Sequence, residues 1–213
     1  ERFAISRQGR GGTFPLIEDR ASQQLNVSPH RRWIGIGFEQ GSKHFERFNG
    51  LPTRVKLEML TSEERLPGHL HEIISAVKQE RTLRVAAHRC FPRVEHLLLF
   101  SWLRSRGCHL AVATNSIRAT ASAMLEFAGL LQLLDVLVTN EDVEEAKPAP
   151  DLYVEACQRL GVSTADALVI EDHPFGVQAA ERAGCSVIQV SGVHEVTVSL
   201  VENVFLEWST PRA

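Results

Sequence analysis

The sequence predicts an α/β protein with a doubly wound, parallel sheet. Three observations predict it. From residue 109 onward, short apolar runs alternate with amphipathic segments across short links, the pattern of strands and crossover helices. The runs are continuously apolar, as strands buried on both faces are. Three of them end in polar clusters at Thr114, Thr139 and Glu171, and right-handed crossovers put those ends on one sheet edge, where ligands of open α/β sheets gather.

Taken in order, residues 109–113 read as a strand, 117–128 as a helix, 135–138 as a strand and 151–160 as a helix. Residues 167–170 then read as a strand, 175–183 as a helix stopped by Gly184, and 186–190 as a strand. The apolar stretch 196–208 is expected to dock on this core. Upstream, Thr53 can cap a helix carrying Val55, Met59 and Leu60. After Pro67 and Gly68, the set Leu70, Ile73, Ile74 and Val77 has helical spacing. Another amphipathic helix follows Pro92, with Val94, Leu97, Leu98 and Trp102 expected inward and Gly107 as its stop. The first forty residues are poor in apolar periodicity. Residues 3–5 and 14–17 are their strand candidates, and Pro15 counts against the second as a central strand.

Composition bounds the function. A chain of 213 residues suits one domain with an insertion or two modest domains. Its formal net charge of -3 gives no electrostatic reason to expect nucleic acid or an anionic membrane as partner. No apolar run is long enough to span a bilayer, and residues 1–8 lack the apolar stretch of a signal peptide, so none is expected there. The four cysteines show no Cys-x-x-Cys or zinc-like spacing, which fits a reduced, cytoplasmic setting. Oligomeric state is not legible at this level.

Three loops on the shared edge carry the chemistry. Thr114, Asn115 and Ser116 leave a strand and open a helix, so they either hold an anion such as phosphate or simply cap the helix. Lys147 sits in the stiff Lys147-Pro148-Ala149-Pro150 loop, as a site cation or as a solvated surface lysine. Glu171 and Asp172 offer oxygen ligands suited to magnesium, or else cap and charge-stabilise the helix that follows, a cap that His173 can also supply. Together they describe a phosphate-and-metal site better than three unrelated caps do.

These residues resemble the haloacid dehalogenase superfamily of phosphohydrolases and phosphomutases, in its β-phosphoglucomutase-like branch with a helical cap. The stretch 110–116 looks like that family's second motif, 147–153 its third and 169–180 its fourth. The resemblance implies a Rossmann-like core at 1–15 and 89–213 and an all-helical cap at 16–88. It implies that Thr114 and Asn115 hold the transferring phosphoryl group, that Lys147 neutralises it, and that Glu171 and Asp172 hold Mg2+. His173 stands where many relatives have Ser. The stretch 48–54 resembles the cap's substrate loop, so Arg54 either meets a substrate anion or is a solvated first-turn arginine. The implied partner is a small phosphorylated metabolite.

The family's first motif, Asp-x-Asp-Gly-Thr after the first strand, is not present. Its best counterpart, residues 9–13, puts Gly9 at the nucleophile and Gly11 at the acid/base position. Glycine offers no nucleophile, proton donor or side-chain ligand, so phosphoryl transfer is expected to be lost or impaired and magnesium weakly bound. The N-terminal segment is either genuine divergence or altered sequence upstream of about residue 38. The chain would then be a non-catalytic phosphometabolite-binding protein or a structural, partner-binding remnant. The sheet is expected to lack a proper central first strand or to accept a substitute.

Overall fold

Five strands form one parallel sheet in the order β3-β2-β1-β4-β5. They are β1 Phe3–Ser6, β2 His109–Thr114, β3 Val136–Thr139, β4 Ala167–Glu171 and β5 Ser186–Gln189. The computed structural model describes residues 3–6 and 47–208. Its α-helices are α1 Thr53–Glu64, α2 His71–Arg89, α3 Val94–Ser105, α4 Arg118–Phe127, α5 Asp151–Leu160, α6 Pro174–Ala183 and α7 Val198–Trp208.

The expectation of a missing or substituted first strand is corrected by β1. Ala4 lies opposite Leu110 and Leu168, and Ile5 opposite Ala111 and Val169, so both neighbours of the central slot find their backbone partners in Phe3–Ser6. The strand candidate at 14–17, together with Gly9, Gly11 and Thr13, lies outside the described residues.

Period-two geometry divides β2 and β4 between two layers. Ala111, Ala113 and Val169 pack with Leu152, Tyr153 and Ala156 of α5 and Ala179 and Ala180 of α6. Leu110, Val112 and Ile170 pack with Leu99, Phe100 and Leu103 of α3, Leu125 of α4 and Val201 of α7. The small residues of the first layer let α5 and α6 approach closely, which brings Tyr153 to the sheet edge.

Two helix faces differ from expectation. On α3, Val94 and Leu98 are 67% and 58% exposed, while His96, Leu99, Phe100 and Leu103 are buried. Residues 97–100 are apolar on every side, so periodicity alone does not select a face. The sheet selects the set at i, i+3, i+4 and i+7. On α2, Ile73 and Val77 are exposed and Ala86 is buried. On α1 the buried residue is Leu57, with Val55, Met59 and Leu60 half-buried. Thr53 does not cap α1. The N-cap position is Pro52, and the Thr53 hydroxyl accepts instead from Lys78 Nζ on α2 at 2.8 Å. Burial lowers the pKa of that ammonium. Helix α2 also meets the core, where Gln79 donates to the Thr120 hydroxyl of α4. Among the described residues no helix is long and apolar enough to cross a membrane.

Candidate active site

The carboxyl ends of β2 and β4 and the loop before α5 converge on Lys147. Its side chain is almost fully buried and its peptide bond to Pro148 is cis. Its ammonium donates to the Ala113 carbonyl at 3.0 Å, the Tyr153 hydroxyl at 2.6 Å and Glu171 Oε2 at 2.9 Å. Tyr153 is itself fully buried and passes a hydrogen bond to Glu171 Oε2 at 2.8 Å. Its ring also lies 4.2 Å from the ammonium. A solvated surface lysine would do none of this. A buried lysine is tolerated when it is paired and hydrogen-bonded, and here three oxygens surround it.

Glu171 is equally buried. Its Oε1 accepts from the backbone amides of Asp172 and His173, both at 3.1 Å, while Oε2 takes Lys147 and Tyr153. A carboxylate has about four lone-pair directions, and four donors use them. This close fit has a steric condition in the first turn of α6. A Cβ at Gly176 would lie 2.0 Å from Glu171 Cδ and Oε2.

Neither acid caps α6. His173 holds that position, its Nδ1 accepting from Phe175 N at 3.2 Å with Pro174 at the first turn. Nor does the 114–116 loop cap α4. The N-cap residue there is Ile117, with no side-chain cap, and the Arg118 amide is met by the Glu141 carboxylate. Thr114, buried at the end of β2, accepts from Ser116 N at 3.1 Å, which fixes its hydroxyl at the sheet edge. Asn115 is buried as well. Its Oδ1 accepts from Lys147 N at 3.0 Å, and its Nδ2 donates to Lys147 O at 3.1 Å and Gly50 O at 2.8 Å.

Thr114, Asn115, Lys147 and Glu171 are therefore brought together, with Asp172 next in the chain. Arg54 is not part of the cluster. It is exposed on the first turn of α1 and pairs with Glu58 at 2.9 Å. Gly9 and Gly11 lie outside the described residues. Three contributors were not singled out from sequence: Tyr153, Gly176 and Gly50. Tyr153 stood within the third motif as an unassigned aromatic. Gly176 carried a legible signal, a glycine in a helical turn where alanine has the better propensity.

A parallel sheet with a buried lysine, a hydroxyl and carboxylates at its carboxyl edge defines a Rossmann-like α/β scaffold. The chain belongs to the haloacid dehalogenase-like hydrolases, whose family model matches residues 30–190. It is 31% identical over 153 residues to validoxylamine A 7'-phosphate phosphatase of Streptomyces hygroscopicus subsp. limoneus, covering 68% of this chain and 72% of that protein. It is 41% identical over 81 residues to fructose-1-phosphate phosphatase of Escherichia coli, a match to 38% of this chain and 43% of that protein. Several curated relatives match over about half their length or less. The fold is that of β-phosphoglucomutase from Clostridium difficile, with a TM-score of 0.72 at 15% identity, covering 97% of this chain and 96% of that one.

Proposed function

We propose that the chain carries the phosphate-holding half of a phosphatase or phosphomutase site for small phosphorylated metabolites, and that turnover through it is lost or severely impaired. The buried Lys147, held by Glu171, Tyr153 and Ala113 O beside Thr114, carries this reading. The Thr114 hydroxyl at the strand end suits a phosphoryl group as a donor, and the Lys147 charge, its three hydrogens held by Ala113 O, Tyr153 and Glu171, acts on that group through space without reorganising. The relatives named for acting on phosphorylated small molecules support the substrate class. The impairment rests on sequence, since no carboxylate occurs between Glu1 and Glu18 to act as nucleophile or as acid and base.

Magnesium binding is weak in this reading. Glu171 has its four lone-pair directions engaged by donors. Asp172 alone does not make a strong magnesium site. Helices α1 and α2 take the cap role, within a cap at 16–88 over a core of 1–15 and 89–213.

The test is steady-state hydrolysis of p-nitrophenyl phosphate and sugar phosphates by the purified chain with magnesium, beside calorimetric titration of the same esters. We expect background turnover together with measurable binding, which the near-isosteric Thr114→Val weakens about tenfold or more by removing a hydrogen bond to a charged group. Magnesium-dependent turnover well above background overturns the impairment. Binding to none of the esters overturns the phosphate site and leaves the structural-remnant reading.

A further inference from the structure

Gly50 is held from two sides at the strand ends. Its carbonyl accepts from Asn115 Nδ2 at 2.8 Å. On its other side it lies so close to the His173 imidazole that a Cβ would stand 2.6 Å from Cε1, 2.9 Å from Nε2 and 3.0 Å from Nδ1. Its φ of 78° adds a second bar to any side chain there. Both holders are themselves fixed. The His173 ring caps α6 through Nδ1 and meets Phe175 edge-on with centroids 5.1 Å apart. Asn115 is tied to both backbone groups of Lys147. The loop's flanks are anchored too, by buried Phe48 and Pro52 and by the Lys78 bond to Thr53.

An amide nitrogen carries two hydrogens, and Asn115 gives one to Gly50 O and one to Lys147 O. While the 48–53 loop is seated, Asn115 has no side-chain hydrogen to offer a phosphoryl oxygen. We propose that Asn115 and His173 form a latch on Gly50, and that the Asn115 side-chain amide positions the loop against Lys147 rather than ligating phosphate. One side chain then reports loop seating to the backbone that carries the ammonium. Releasing Gly50 loosens Lys147, and by reciprocity an anion on Lys147 favours the seated loop. Only this last consequence rests on the phosphate reading.

Hydrogen exchange followed by mass spectrometry on the full chain tests the latch. Asn115→Ala and His173→Ala are each expected to speed exchange across residues 48–54, roughly tenfold for the loss of one hydrogen bond or its packing equivalent. Asn115→Asp separates the roles. It keeps an acceptor for Lys147 N but turns an oxygen toward both Gly50 O and Lys147 O, so the loop should exchange fast while the Lys147 amide, which keeps its acceptor, stays better protected than in Asn115→Ala. Asn115→Ala should expose both. Unchanged loop exchange in Asn115→Asp and His173→Ala overturns the latch, and those two variants carry the test if Asn115→Ala fails to fold. Inorganic phosphate separates the latch from the phosphate site. Slower loop exchange on adding it supports the coupling, whereas fast-exchanging variants beside a loop indifferent to phosphate keep the latch and refute the phosphate site.

Discussion

Gly176→Ala is the sharpest single change the site admits. Alanine ordinarily stabilises a helix relative to glycine by up to about 1 kcal/mol, so on propensity alone the variant should gain. The structure reverses the sign. The new methyl would stand 2.0 Å from both Cδ and Oε2 of Glu171, far inside contact distance, and the atoms it meets belong to a carboxylate that four donors hold in place. Either α6 moves off the sheet or the carboxylate leaves Lys147 and Tyr153. Overpacking costs about 1–3 kcal/mol, and uncoupling a buried charge pair costs about 3–5 kcal/mol. A net loss of about 3 kcal/mol follows, or roughly 6–12 °C in midpoint for a chain of this size. Urea denaturation and thermal melts of the two proteins measure it. If Gly176→Ala is as stable as the parent, Glu171 does not pack against the first turn of α6, and the account of the lysine cluster falls with it.

The helix faces give a paired test. Leu99→Ala should cost about 2–5 kcal/mol in urea denaturation, whereas Leu98→Ala one residue away should stay within about 0.5 kcal/mol, because the first side chain is buried and the second is 58% exposed. Comparable losses would mean that α3 is rotated. Asp142 gives a pH test. Burial alone would raise its pKa, but hydrogen bonds from the Thr139 hydroxyl and amide and from Arg159 and Arg118 outweigh that and hold it well below the usual carboxylate range. A depressed folded pKa means that its stabilisation is complete above about pH 4, the unfolded value, and drains away as pH falls below it. Asp142→Asn should therefore lower stability at pH 7 and flatten the loss between pH 4 and pH 2. An acid limb parallel to that of the parent would count against the network.

Much of the sheet was legible because buried parallel strands write themselves as short apolar runs. The three loops at their ends were legible because Thr114, Lys147 and Glu171 interrupt apolar or proline-stiffened sequence. Packing decided the rest. Residues 97–100 present apolar side chains on every side, so no period could choose between Leu98 and Leu99. The choice of cap between Asp172 and His173 depends on which side chain reaches Phe175 N. That Glu171 faces a lysine and a tyrosine, with its lone pairs taken up, follows from α5 packing closely on a sheet layer rich in alanine. Residues 3–6 lacked the flanking pattern of their partner strands, yet a four-residue segment suffices when both neighbours already offer backbone donors and acceptors.

That central segment also sets an order of events. Phe3 pairs with His109 on one side and Ala167 on the other, so this strand sits between partners synthesised about a hundred residues later and more. At about 5–20 residues per second it leaves the ribosome many seconds before either exists. Until then its donors and acceptors can pair only with water, chaperones or the wrong edge, and the loops that must close to seat it are long. Assembly of the sheet, and with it of the lysine cluster between β2 and β4, is a late and non-local event. A nascent chain stopped short of β4 would expose β1 as an unpaired edge and be prone to association.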